Sequence, residues 1–141
     1  IGIAVAILLT DRITSGFMKP FFERLRPSRE PSLEGLVHLV KDSAGKIYTG
    51  GKFGFASSHA ANTFATAIFF WLVFRHRYRW MWVLFVWAAA MTYTRIYLGA
   101  HYPGDILVGL LIGLACGWFG YKVQQWIWRK KYNDADQLTI Q

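Results

Sequence analysis

The chain reads as an all-α, integral-membrane helical bundle, and three observations carry that reading. Hydrophobic residues make up 54% of its 141 residues and aromatics 18%, with seven tryptophans. The apolar residues gather into long runs, about 1–18, 58–74, 80–98 and 104–128. The last three are at or near the roughly 20 residues that cross a bilayer as a helix. Basic residues stand at the ends of those runs. Backbone groups in lipid must find partners within their own segment, so the runs are expected to be helices.

The net charge of +8 would suit nucleic acid. Its clustering at run ends is what membrane topology demands, however, so membrane lipids and not nucleic acid are the expected partners. Cys116 is the only cysteine, which excludes an internal disulfide; inside an apolar run it reads as a small buried hydrophobe. The sequence opens at Ile1, already apolar, with no charged leader and small-residue cleavage site, so the first run is not a signal peptide. The expectation is one domain over 1–141 that lacks one or more N-terminal spans.

The first run is interrupted by Asp11 and Arg12, expected to pair with each other or to line the bundle interior. It leads into "KPFFERLRP". Lys19 and Arg26 are two helical turns apart and are expected to share one face, where two fixed cations can hold one dianion. Pro27 would end that helix, and Arg24 falls off the shared face. A loop over 28–55 follows. Within it His38, in "LEGLVHLV", reads as an interfacial contact.

The second run begins "SSHAANTF". Ser57 or Ser58 suits its N-cap. Free N–H groups at a helix start suit phosphate, and His59 would stand in the first turn beside it. The third run, "WMWVLFVWAAAMTYTRIYL", carries Arg95 near one end, a costly residue in a span unless paired or functional. In "GAHYPGD", Pro103 fits the first position of the fourth helix, which makes Tyr102 its cap. Asp105 then reaches back over the helix start as in a capping box. His101 lies just outside. A carboxylate on one imidazole nitrogen would fix the tautomer and leave the other free to attack. Gly109, Gly113 and Gly117 share a face of the fourth helix and should let another helix approach closely.

The connectors "RHRYR" (75–79) and "RKK" (129–131) fall on one side if each run crosses once, and short basic connectors stay in the cytoplasm. Trp80, Trp82, Trp126 and Trp128 would anchor that side. The opposite, outer side collects Lys19, Arg24, Arg26, Arg29, His59, Arg95, His101 and Asp105. Each group alone fits a bland structural role: a solvated helix end, a capped helix, a tight turn. Together, on a face where the topology rule disfavours cations, they point to an anion site at the lip of the bilayer with two histidines for chemistry.

Lys19-(six residues)-Arg26-Pro27, Ser57-Ser58-His59 and Arg95-(five residues)-His101-(three residues)-Asp105 resemble the three-part signature of the type 2 phosphatidic acid phosphatase (PAP2) superfamily. The loop text "SLEGLVHLV" and "GGKFGFASSHAANTFA" is similar to a bacterial branch of it. Three positions differ: Ala56 and Ser58 stand where the family has Pro and Gly, and Thr94 where it has Ser.

The resemblance implies a PAP2/haloperoxidase-like helical core and a metal-independent phosphatase of lipid phosphates that needs no cofactor. It implies His101 as nucleophile through a phosphohistidine, Asp105 orienting it, and His59 as acid and then base. It implies Lys19, Arg26, Ser57, Ser58 and Arg95 on the phosphoryl oxygens. A polyprenyl diphosphate, phosphatidic acid, phosphatidylglycerol phosphate or a lipid A phosphate would each fit. The implied location is the bacterial inner membrane, multi-pass, with the site facing outward. The alternatives are a vanadium-haloperoxidase-like enzyme, against which the apolar runs argue, and an inactive membrane scaffold, against which the intact histidines argue.

Overall fold

The computed structural model describes the chain except residues 38, 40–42, 44, 46, 48–50 and 140–141, and describes side chains in the last helix only as far as Asn133. The expectation for His38 lies outside the described residues. The fold is all-α. Helices α1 (Gly2–Asp11), α2 (Lys19–Phe22), α3 (Ser58–Phe74), α4 (Val83–Tyr97) and α5 (Pro103–Thr139) carry it. Among the described residues no strand forms; Leu25 and Phe53 make an isolated antiparallel bridge.

Helix α3 is the hub, packed against α1, α4 and above all α5; α1 also packs on α5. The reason is side-chain size. A Cβ at Gly109 would lie 2.5 Å from the Ser57 carbonyl oxygen; at Gly113 and Gly117 it would strike the Ala61 and Ala65 carbonyls. The glycine stripe therefore lies directly on the Ser57–Ala61–Ala65 ridge of α3, as the four-residue spacing led us to expect. Gly2 and Gly120 meet in the same way where α1 crosses α5. Phe64 and Ala67 of α3, with Ala88 of α4, form a small core against Leu84, Phe85, Leu110 and Leu114.

Gly113→Val should cost about 2–3 kcal/mol of stability, because its side chain must push two backbones apart. Gly104→Ala in the same helix, with nothing near its Cβ, should cost little. Thermal unfolding in detergent measures both.

The surface away from these contacts is apolar. Leu8, Val86, Tyr93, Leu107, Leu111 and Trp118 are all exposed, on three different helices. Patches this extensive mark surfaces that meet something other than water. The stretch Pro103–Asn133 is long and apolar enough to cross a membrane, and α3 is a shorter apolar helix. Trp80, Trp82, Trp126 and Trp128 are exposed, and Lys130 lies over the Trp126 ring at 5.9 Å.

Helix α1 runs into α2 through a π-helical stretch, Arg12–Met18. The wider turn keeps Thr14 and Lys19 in line on the side facing α3. The expected single helix through Lys19 and Arg26 does not form. Glu23 takes a left-handed conformation (φ 45°) and its N–H closes the last turn on the Lys19 carbonyl at 3.1 Å. The chain then leaves the helix well before Pro27, and Leu25 bridges to Phe53. Lys19 and Arg26 thus reach the same place from different elements, not from one helical face.

Candidate active site

Ser57 is the N-cap of α3; its Oγ accepts the Ala60 N–H at 3.4 Å. Ser58 begins the helix and meets α1. Its Oγ accepts from Lys19 Nζ at 2.8 Å and from Thr14 Oγ1 at 2.8 Å, and shares a hydrogen bond with Ser15 Oγ at 2.9 Å. Lys19 Nζ also donates to Ser15 Oγ at 3.1 Å. One turn further along α3, Asn62 bonds Thr10. The apolar first run therefore carries a polar line, Thr10–Thr14–Ser15–Lys19, that docks on the start of α3. Sequence reasoning passed over these hydroxyls. Their only signal was the spacing of small polar residues within an apolar run.

Arg26 is held from the loop side, its Nε donating to the Phe53 carbonyl at 3.2 Å. Gly54 N–H donates to the Arg24 carbonyl at 2.9 Å. A Cβ on Gly54 would lie 3.1 Å from Arg26 Cγ and 3.5 Å from an Asp105 carboxylate oxygen, so the residue-53–54 stretch is threaded between them.

The turn between α4 and α5 is built as its residues suggest. Gly99 takes φ 61°, which a glycine adopts without strain. The Arg95 carbonyl accepts from Ala100 N (3.0 Å) and His101 N (3.3 Å), closing α4. Pro103 begins α5, and Asp105 Oδ2 accepts the Tyr102 N–H at 2.9 Å, the expected reach back over the helix start. The Asp105 carbonyl also accepts Ser57 N–H at 3.1 Å, which ties the starts of α3 and α5 together.

His101 is buried, with Nδ1 3.6 Å from Asp105 Oδ2. That separation is an electrostatic contact and longer than a hydrogen bond, leaving Nδ1 without a partner. Contacts of this kind commonly tighten only when substrate binds. Burial pushes the imidazole below its ordinary pKa, against the opposing pull of Asp105. Arg95 Nε is likewise buried without a hydrogen-bond partner. Arg95 is among the cations near enough to act electrostatically on His59.

A cavity of about 350 Å³ opens between these groups, lined by Asp11, Ser15, Lys19, Arg26, Ser58, His59, Asn62, Thr63 and His101. The three sequence segments singled out above thus converge. Ser57, Arg95 and Asp105 are not among the lining residues; Ser57 and Asp105 are fully buried. Asp11 faces the cavity and Arg12 is exposed. Among the described residues no three His, Cys, Asp or Glu side chains gather as a metal-ligand set.

Arg24 departs from its expected idle place. Its Nη1 donates to Asp105 Oδ1 at 3.1 Å, and its guanidinium lies 4.2 Å from the centre of the Tyr102 ring.

Residues 1–129 match the PAP2 superfamily. The chain belongs to that superfamily. A lipid A 4'-phosphatase of Bacteroides thetaiotaomicron is 43% identical over 123 residues, covering 86% of this chain and 52% of that protein. A lipid A 4'-phosphatase of Porphyromonas gingivalis is 39% identical over 122 residues, covering 86% of this chain and 49% of that protein. A lipid A 1-phosphatase of Porphyromonas gingivalis is 32% identical over 108 residues, covering 74% of this chain and 24% of that protein. The chain spans about half the length of the two lipid A 4'-phosphatases. No solved structure matches it.

Proposed function

We propose that this PAP2 chain is a lipid phosphatase that removes a phosphate from a lipid head group, with a lipid A phosphate as the leading substrate. The observation that carries the reading is the cavity that brings Lys19, Arg26, Ser58, His59 and His101 together from three separate segments. The names of the relatives above support the substrate class. In this reading Lys19, Arg26 and Arg95, with the hydroxyls and N–H groups at the start of α3, bind the phosphoryl oxygens and neutralise charge that spreads over them in transfer. His101 Nε2 attacks phosphorus as the P–O bond to the lipid breaks. His59, protonated, gives its proton to the leaving alkoxide. The resulting phosphohistidine is attacked by water; His59 takes that water's proton, and His101 leaves as the neutral imidazole. Asp105 holds the His101 ring and offsets the positive charge that it carries in the intermediate.

Purified full-length chain should release phosphate from lipid A in a panel that also holds phosphatidic acid, phosphatidylglycerol phosphate and a polyprenyl diphosphate. No release from any of the four would sink the reading; faster release from another member would move the substrate to it.

The exposed apolar helix faces support placement in the bacterial inner membrane as a multi-pass protein, and the basic connectors support a site on the outer side. In a Cys116→Ser background, Ser32→Cys should react with an impermeant thiol reagent in spheroplasts and Arg77→Cys should not. The reverse pattern would turn the protein over.

A further inference from the structure

We infer that Arg24 is a positioning residue, a clamp that fixes the carboxylate of Asp105 in the orientation His101 needs. The inference rests on the catalytic reading above. Asp105 is fully buried between two helix starts, and a buried carboxylate is costly unless each oxygen is satisfied. Its two oxygens are divided. Oδ2 takes the Tyr102 N–H at 2.9 Å and faces His101 Nδ1 at 3.6 Å, while Oδ1 takes Arg24 Nη1 at 3.1 Å. Without the Arg24 bond the carboxylate could rotate about its Cβ–Cγ bond, and the oxygen facing His101 would move.

Arg24 is itself fixed at two further points. Its guanidinium lies over the Tyr102 ring at 4.2 Å, and its carbonyl accepts Gly54 N–H at 2.9 Å. The left-handed turn at Glu23 is what points the chain this way; in a continued helix Arg24 would project from another face. Arg24 does not line the cavity, and its guanidinium is committed to Asp105 and the Tyr102 ring, so its effect reaches His101 through Asp105.

The charged and titratable groups that act on His101 are Asp105, Arg26 and Lys19, with His59 on the same cavity, and Arg24 balances the first of them. Removing Arg24 leaves the Asp105 charge uncompensated. His101 then holds a proton to higher pH, which moves the acid limb of kcat/KM upward.

The experiment compares wild type with Arg24→Gln and Arg24→Lys. For Arg24→Gln, kcat should fall about 30–100-fold with KM changed less than about 3-fold, since the cations on the phosphate remain. Inhibition by inorganic phosphate should be unchanged for the same reason. The acid limb should move up by half a pH unit or more, and guanidinium in the assay should restore part of kcat. Arg24→Lys keeps the charge but loses the fork and the stacking, and should fall between the two. Titration of His101 by NMR in the histidine-labelled chain reads the same shift without turnover.

A folded Arg24→Gln with wild-type kcat and an unmoved His101 titration overturns the clamp. If that variant does not fold, Arg24→Lys decides by the same two readouts. Loss of turnover in wild type itself would instead count against the catalytic reading, and the NMR titration would still judge the clamp.

Discussion

His101→Ala is expected to lower phosphate release about 10⁴-fold or more while leaving the fold intact, the largest effect of any single change in the chain. In the proposed mechanism no other group makes the bond to phosphorus, so nothing else in the cavity takes over. His101 Nδ1 has no hydrogen-bond partner to lose, and the turn is held by backbone bonds from Ala100 and His101 to the Arg95 carbonyl, which alanine keeps. A variant that unfolds at the wild-type temperature but releases no phosphate is the expected outcome.

The pH profile gives a second reading of the same residue. Attack needs the neutral imidazole. Burial holds the His101 pKa below its ordinary value, so the neutral form persists to lower pH and is lost only as pH falls through that lowered value. The acid limb of kcat/KM should therefore lie below about 6.5, the ordinary histidine value. Retention of more than a few per cent of turnover in His101→Ala, or an acid limb above 7, would remove His101 from the nucleophile's role.

The turn that carries His101 was legible in the sequence because its logic is local. Pro103 at the helix start and Asp105 reaching back to Tyr102 both act within a few residues. The Ser57 cap and the Gly109–Gly113–Gly117 stripe are local in the same sense. What the sequence did not disclose is what depends on distant chain. Glu23 has no intrinsic preference for a left-handed conformation; it adopts one because the following residues are drawn to Phe53 and Gly54. That one turn undid the inference of a shared Lys19–Arg26 helical face and swung Arg24 onto Asp105, 81 residues away. The hydroxyls of Thr14 and Ser15 were hidden for a related reason. In an apolar run they read as tolerated small polar residues, and only the packing of α1 on α3 shows them gripping Ser58 and Lys19.

Arg95→Lys is expected to cost about 10²-fold in kcat/KM despite keeping the charge. Arg95 Nε is a buried donor with nothing to bond, a state that costs roughly 1–3 kcal/mol. A phosphoryl oxygen arriving in the cavity would relieve that cost, and the forked guanidinium can grip two oxygens at once. Lysine offers a point charge on a flexible stem and no second, fixed donor. Its position in the last turn of α4 also matters, because the Arg95 carbonyl holds the His101 N–H at 3.3 Å. Substrate grip and nucleophile placement thus start from one residue's backbone, yet only the grip depends on its side chain. Arg95→Lys should accordingly raise the inhibition constant for vanadate, which resembles the five-coordinate phosphoryl group, and His101→Ala, which removes the nitrogen that completes five-coordination, should raise it too. Arg129→Lys, at the far end of α5, is the matched control and should be silent. Because Lys19, Arg26 and Arg95 supply the positive charge in the proposed mechanism, EDTA should leave turnover unchanged in wild type. A loss below about 3-fold in Arg95→Lys, or turnover abolished by EDTA and restored by magnesium, would mean that the charge on the phosphoryl group is neutralised by something other than these side chains.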